Sequence, residues 1–233
     1  MASNGGISMR RYSRTAGNWL RKHAVLATGL FALSAMMDVG YAQSIFNNPI
    51  TGTNPNTSNP YTTGQTVDSG ITVSGIGRGS GITGANANNR YTATGWNSVS
   101  LDATDYFEWT LTPNSGKSIS FVSFVYTGQI SSGPLTLSFR SSLDSYATDI
   151  GTPSIAGTTI SLSGASYQNL TTPITFRLYG CGANAVTRTY SVNDFTFNGT
   201  VADALAAEPT TQASSVSFST VASTSMNVSW TSG

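Results

Sequence analysis

Tyr106-Phe107-Glu108-Trp109-Thr110-Leu111 alternates apolar and polar side chains without a break after its first residue. Successive side chains of a strand point to opposite faces, so Phe107, Trp109 and Leu111 share one face and Tyr106, Glu108 and Thr110 the other. The same period recurs in Leu135, Leu137 and Phe139 against Thr136 and Ser138, and in Ile174, Phe176 and Leu178 against Thr175, Arg177 and Tyr179. It returns in Phe195, Phe197 and Val201 against Asp194, Thr196 and Thr200. These read as half-buried antiparallel strands. Residues 119–126 break the period, because Ile119 and Phe121 fall on one face and Val122, Phe124 and Tyr126 on the other. Either that strand is buried on both sides or a bulge near Val122 reverses its phase. Weaker strands are expected at 71–76, 90–94, 158–162 and 189–192. No stretch of this region has helical spacing over ten or more positions. Eight or nine short strands predict an all-β chain, a two-sheet antiparallel β-sandwich of jelly-roll type.

The flanks have different grammars. Arg10, Arg11, Arg14, Arg21 and Lys22 precede a 14-residue apolar run, 24–37, that ends in Asp38, Gly40, Tyr41 and Ala42. Residues 1–42 therefore read as a secretory signal peptide cut after Ala42, leaving a secreted or cell-surface chain that starts at Gln43. The apolar run is short of the roughly 20 residues a membrane-spanning helix needs. Arg10-Arg11 also fits a twin-arginine export signal, although the pair stands well before the apolar core. Residues 44–66, rich in Asn, Thr, Pro and Gly, are expected to be a peripheral approach segment to a sandwich spanning 43–203. A polar linker is expected at 204–213, followed at 214–233 by a new strand pattern: Val216, Phe218 and Val221, then Met226, Val228 and Trp230.

Charge and residue inventory narrow the function. Five of the 11 bases and one of the 10 acids lie in the leader, so the remainder is mildly acidic. Its bases, Arg78, Arg90, Lys117, Arg140, Arg177 and Arg188, are scattered, unlike the basic footprint of a nucleic-acid binder. The one histidine, His23, is in the leader, which leaves no imidazole as base or zinc ligand in the exported part. Serines without a base are poor nucleophiles, and there is no Gly-x-Ser-x-Gly elbow. Gly116-Lys117-Ser118 lacks the first glycine of a phosphate loop and reads as a turn. Asp105 and Glu108, three apart, would point to opposite faces if both lay on one strand, so they make a poor catalytic pair. The expectation is a protein that is not an enzyme.

Aromatic rings are the better lead, since sugars present apolar C–H faces that stack on rings while their hydroxyls need polar groups nearby. Tyr91, Trp96, Tyr106, Tyr126, Tyr146 and Tyr179 are the candidate rings, with Arg78, Arg90, Arg140 and Asn97 as polar partners. Trp96, between Gly95 and Asn97 in an expected loop, is read as the exposed ring, and Trp109 as core. A ligand site of Trp96, Tyr91, Arg78, Arg90 and Asn97 is expected, its partner a polysaccharide or surface glycan. No cofactor is expected: Asp102, Asp105 and Asp194 read first as solvated or turn-capping carboxylates, with a structural calcium ion on these loop oxygens as the alternative.

Arg78-Gly79-Ser80-Gly81, Gly95-Trp96, Asp105-Tyr106-Phe107-Glu108, Arg140-Ser141-Ser142-Leu143-Asp144, Phe176-Arg177-Leu178-Tyr179-Gly180 and Asn193-Asp194-Phe195 together resemble a jelly-roll domain of exported bacterial surface proteins. That domain occurs in Bacteroidetes surface proteins and in proteins with PEP-CTERM sorting tails. The resemblance implies a fold similar to carbohydrate-binding modules and carries no catalytic activity. Ser225-Met226-Asn227-Val228-Ser229-Trp230 is similar to the start of a fibronectin type III module, which implies further domains beyond Gly233. Some 20 residues cannot bury such a core, so the piece is expected to be disordered.

Overall fold

The computed structural model describes residues 43–133, 135–205 and 214–231. The expected signal peptide, most of the expected linker and the side chain of Trp230 lie outside the described residues. Twelve strands make two antiparallel sheets: β1 Gln43–Asn48, β2 Thr66–Val67, β3 Ile71–Val73, β4 Gly77–Arg78, β5 Thr83–Gly84, β6 Tyr91–Thr94, β7 Tyr106–Pro113, β8 Lys117–Ile130, β9 Thr136–Ser141, β10 Gly157–Ser161, β11 Ile174–Cys181 and β12 Tyr190–Asp203. The larger sheet runs β10-β8-β12-β1-β2, with β6 pairing the start of β12 and β5 pairing β6. The smaller runs β3-β7-β11-β9, with β4 also on β7. Two single-turn 3-10 helices, Ser142–Asp144 and Ala165–Tyr167, complete the connections. Among the described residues no helix is long and apolar enough to cross a membrane.

The alternation in β7 is realised as read. Phe107, Trp109 and Leu111 are fully buried, while Tyr106, Glu108 and Thr110 stand half-buried on the outer face. Trp109 packs at 5.0 Å on Phe124 of β8 and at 5.4 Å on Phe195 of β12, which closes one sheet on the other. Phe139 lies 4.7 Å from Phe124 and 5.4 Å from Phe176, so a band of stacked rings fills the interior. Each such pair contributes about 0.5–1.5 kcal/mol beyond simple area burial.

β8 takes the bulged alternative. Ser123 faces Asn198 and Phe121 faces Gly199, so Val122 has no partner in β12 and is 41 % exposed. The extra residue re-phases the strand, and both Phe121 and Phe124 reach the core.

The approach segment is not peripheral. β1 lies between β12 and β2, and Ile45, Phe46 and Ile50 are fully buried. Three apolar residues are too few to show a period, but the 14-residue β12 leaves an edge that β1 fills. Asparagine amides then stitch the following loop to the body. Asn48 accepts from Ile50 N at 2.9 Å and donates to Thr63 O at 3.1 Å. Asn59 accepts from Arg78 N at 2.7 Å and donates to Arg78 O at 3.1 Å, standing in for a strand neighbour. The loop is polar in composition because its side chains replace a backbone ladder.

The C-terminal piece is a hairpin of β13 Ser214–Ser219 and β14 Asn227–Thr231 rather than a disordered tail. Phe218 opposite Val228 and a 2.8 Å hydroxyl pair between Ser217 and Ser229 set its register. Phe218, Val221, Met226 and Val228 are all exposed.

Candidate functional site

The structure separates the expected site residues. Trp96 is 1 % exposed and belongs to the core, which overturns its reading as an exposed loop ring. Its Nε1 donates to Ala93 O at 2.8 Å, and its ring meets Phe107 edge-on at 5.1 Å and Tyr190 at 6.0 Å. The 95–105 loop folds inward because β11 offers a glycine there. A Cβ on Gly180 would stand 2.8 Å from Trp96 Cε3. Ala183 N donates to Trp96 O and Gly182 N to Ser98 O, fastening the loop to the end of β11.

Tyr91 and Arg78 are scaffold as well. Tyr91 is fully buried and Arg78 is 8 % exposed, with its guanidinium 3.6 Å from the Tyr91 ring centroid. Every nitrogen of that guanidinium donates to a backbone carbonyl: Nε to Thr92 O at 3.1 Å, Nη1 to Ser58 O at 2.9 Å and Asn56 O at 3.4 Å, Nη2 to Pro55 O at 3.2 Å. Burial lowers the Arg78 pKa from its ordinary value, Tyr91 opposing the shift. The Tyr91 phenol is pushed up to about 12, chiefly by burial. This pair pins the 53–60 loop to the body and has no group left for a ligand. Asn97 is exposed, beside the buried Trp96 but with no ring to accompany it.

The three carboxylates do not gather into an ion site. Asp102, exposed, takes the Thr104 hydroxyl and N–H at 2.6 and 2.8 Å, and those bonds lower its pKa. Asp105 is 3 % exposed, accepts from Ser98 Oγ at 2.6 Å and packs directly against Gly81, where any side chain would collide with it. Asp194, on β12, accepts the Thr127 hydroxyl. Among the described residues no three His, Cys, Asp or Glu side chains come together as a metal would require. Glu108 faces outward while Asp105 is interior, so the two do not bracket a bond. Cys181 is buried, and burial, then Asp105, raises its pKa, which keeps it a thiol.

The candidate rings that do meet lie on the outer face of the smaller sheet. β7 places Tyr106 opposite Tyr179 and Glu108 opposite Arg177, and β9 places Arg140 on the other side of Arg177. The Arg177 guanidinium is 3.9 Å from the Tyr106 ring centroid and 4.1 Å from that of Tyr146. Its Nε pairs with Glu108 at 3.2 Å and its Nη1 donates to Tyr179 Oη at 3.4 Å. Tyr179 meets both other rings edge-on, at 5.4 and 6.4 Å. Arg140 pairs with Asp149 at 2.6 Å and donates to Tyr146 O at 3.0 Å. Two like charges side by side are tolerated because each has its own carboxylate.

Tyr146 reaches this cluster through a strained turn. Ser145 and Tyr146 both have left-handed backbone, at φ 58° and 62°, a conformation that costs a non-glycine residue about 1 kcal/mol or more. Tyr146 N donating to Ser141 O at 2.9 Å and Arg140 gripping Tyr146 O hold it there. Burial raises the phenol pKa of Tyr106 and Tyr146, so both remain neutral hydroxyls. Tyr106 and Tyr146 present half-buried aromatic surface beside planar hydrogen-bonding groups, whereas Tyr179 is buried at 4 % exposure beneath them. Arg177 went unnoticed in the sequence as a site residue. Its register opposite Glu108, readable once β7 and β11 are paired, was the available signal.

Arg90 lies elsewhere, in a polar cleft of about 170 Å³ on the outer face of the larger sheet, together with Asn86, Thr92, Gln129, Ser131, Thr189 and Ser191. Comparison of the chain with protein-family models, with curated proteins and with solved structures found no match.

Proposed function

We propose that the chain is a non-catalytic binding module of the cell exterior that holds a glycan on the outer face of the five-stranded sheet. The gathering of Tyr106, Tyr146 and Tyr179 around Arg177 carries this reading. A sugar ring needs an apolar surface for its C–H face and fixed donors and acceptors for its hydroxyls, and this face sets Tyr106 and Tyr146 beside Arg177, Glu108 and Arg140. The strain stored at Tyr146 supports the same reading, since such outliers collect at ligand-binding positions. The basic and apolar leader supports export, and the jelly-roll resemblance supports the comparison with carbohydrate-binding folds.

A spacer domain with no small-molecule site is the second reading, and the burial of Trp96 favours it. A glycan array probed with the full chain separates the two. Binding to a defined polysaccharide class, lost in Tyr146→Ala and in Arg177→Ala while the melting temperature moves little, is the expected result. Silence across the array from a folded chain gives the spacer reading the better claim.

A further inference from the structure

We propose that the cleft around Arg90 is a second binding site, which takes a small carboxylate carrying hydroxyl groups, the chemical class of a sugar acid. The cleft is built on a sheet face, with Thr92 of β6 and Gln129 of β8 flanking Ser191 of β12 in register. The 86–87 loop overhangs it and is itself tied down, because Asn54 and Asn56 donate to Asn86 Oδ1 and Ala87 N donates to Asn54 Oδ1.

The free groups of the cleft are mostly donors. Arg90 has no ion pair and no hydrogen bond among the described residues, and no acid lines the cleft. Asn86 Oδ1 is occupied by two amide donors, which leaves its Nδ2 to give. Gln129 Oε1 is likewise taken by Asn193 Nδ2 at 3.3 Å, leaving Nε2. One cation and two amide donors call for an acceptor-rich anion.

Thr92 is the independent observation. It is 3 % exposed, lines the cleft, and its hydroxyl has no hydrogen-bond partner. A buried polar atom without a partner is rare in native folds, and a ligand oxygen would satisfy this one once the side chain turns towards the cleft. The neighbouring serine hydroxyls are engaged: Ser191 Oγ with Gln129 O and Asn193 Oδ1, Ser131 Oγ with Thr189 N. The cleft is smaller than the 300–1000 Å³ or so of pockets that take drug-sized ligands, which fits one sugar-sized residue better than a chain.

The experiment is an NMR shift titration of the full chain with glucuronate, with glucose and acetate as parallel arms. Glucuronate is expected to bind more tightly than either, because glucose lacks the charge and acetate lacks the hydroxyls. Arg90→Gln should weaken glucuronate about tenfold or more, the worth of a hydrogen bond to a charged group. Thr92→Val keeps the shape and removes the orphaned hydroxyl, so it should weaken glucuronate while leaving the melting temperature unchanged or raised. Tyr146→Ala, in the turn packed against the other sheet, should leave glucuronate binding intact, which keeps this test apart from the glycan face. Absence of saturable shifts at millimolar glucuronate, equal binding of acetate or glucose, or indifference to Arg90→Gln would each overturn the proposal.

Discussion

Two arginines in this protein stack on tyrosines, and they do opposite work. Arg78 lies over Tyr91 at 3.6 Å with every nitrogen bonded to a carbonyl of the 55–58 loop or of β6, sealed from solvent. Arg177 lies near Tyr106 and Tyr146 at 3.9 and 4.1 Å, pairs with one carboxylate, and stays partly exposed on a sheet face. The residue types are the same. What differs is whether backbone carbonyls have used up the guanidinium. A stack whose donors are spent on the fold is a rivet, and one whose partners are side chains at the surface can still meet a ligand.

The sharpest way to break that contrast is at the riveted end. Trp96→Ala, in the packing that surrounds the Arg78 and Tyr91 side, should cost about 3–5 kcal/mol in denaturant unfolding, the usual toll of emptying a buried aromatic site. A melting point that barely moves would return Trp96 to the surface and reopen it as a ligand ring.

The two arginines can then be compared directly by Arg78→Met and Arg177→Met. The first strips partners from four carbonyls and should cost about 3 kcal/mol, whereas the second removes a half-exposed ion pair and should cost about 1 kcal/mol or less. Equal losses in chemical denaturation would erase the distinction.

Alkaline pH probes the same rivet from the tyrosine side. The Tyr91 phenol, ordinarily near 10, is raised to about 12, so it stays protonated in the folded state over a range where the unfolded chain ionises. Stability contributed by this group is complete below pH 10 and declines as pH rises towards 12, by about 2–3 kcal/mol at 1.36 kcal/mol per unit. Tyr126 and Tyr190, also raised by burial, add to the slope, and Tyr91→Phe should remove only its own share. An unfolding free energy flat between pH 9 and pH 12 in all of these proteins would contradict the burial of the phenols.

The smallest expected change in stability belongs to Tyr146→Gly. Glycine relieves the left-handed strain at φ 62° while losing the ring, so the two effects, each about 1 kcal/mol, should nearly cancel in a thermal melt. Glycan binding, if Tyr146 presents a ring to sugar, should disappear in the same variant.

Much of the architecture was readable in single strands. The alternation of β7 and β11 and the suspected irregularity at Val122 needed only the geometry of a pleated chain. The site was legible only in fragments. Tyr106, Tyr146 and Tyr179 were recognisable as candidate rings, but Trp96 was placed outside because its loop composition says nothing about what it packs on. Arg90 was singled out and does line a cleft, whereas Arg78 beside Tyr91 was spent on the loop that the asparagines stitch down. β1 was missed because Ile45 and Phe46 are too few for a period, and only the open edge of β12 makes them a strand.

Period-two patterning is local: each residue's face follows from its neighbours in the chain, so the sequence by itself determined the long alternating strands, the inner rings of β7, β9, β11 and β12, and the absence of an imidazole after residue 42. Burial of a loop ring or a charged side chain is set by partners far away in sequence. Gly180 makes room for Trp96, the 55–58 carbonyls consume Arg78, and Tyr106 and Tyr146 flank Arg177. Those long-range contacts exist only once the strands have paired and the loops have packed on them, and for that reason the tertiary structure alone decided which arginine is sealed in the scaffold and which stays partly exposed.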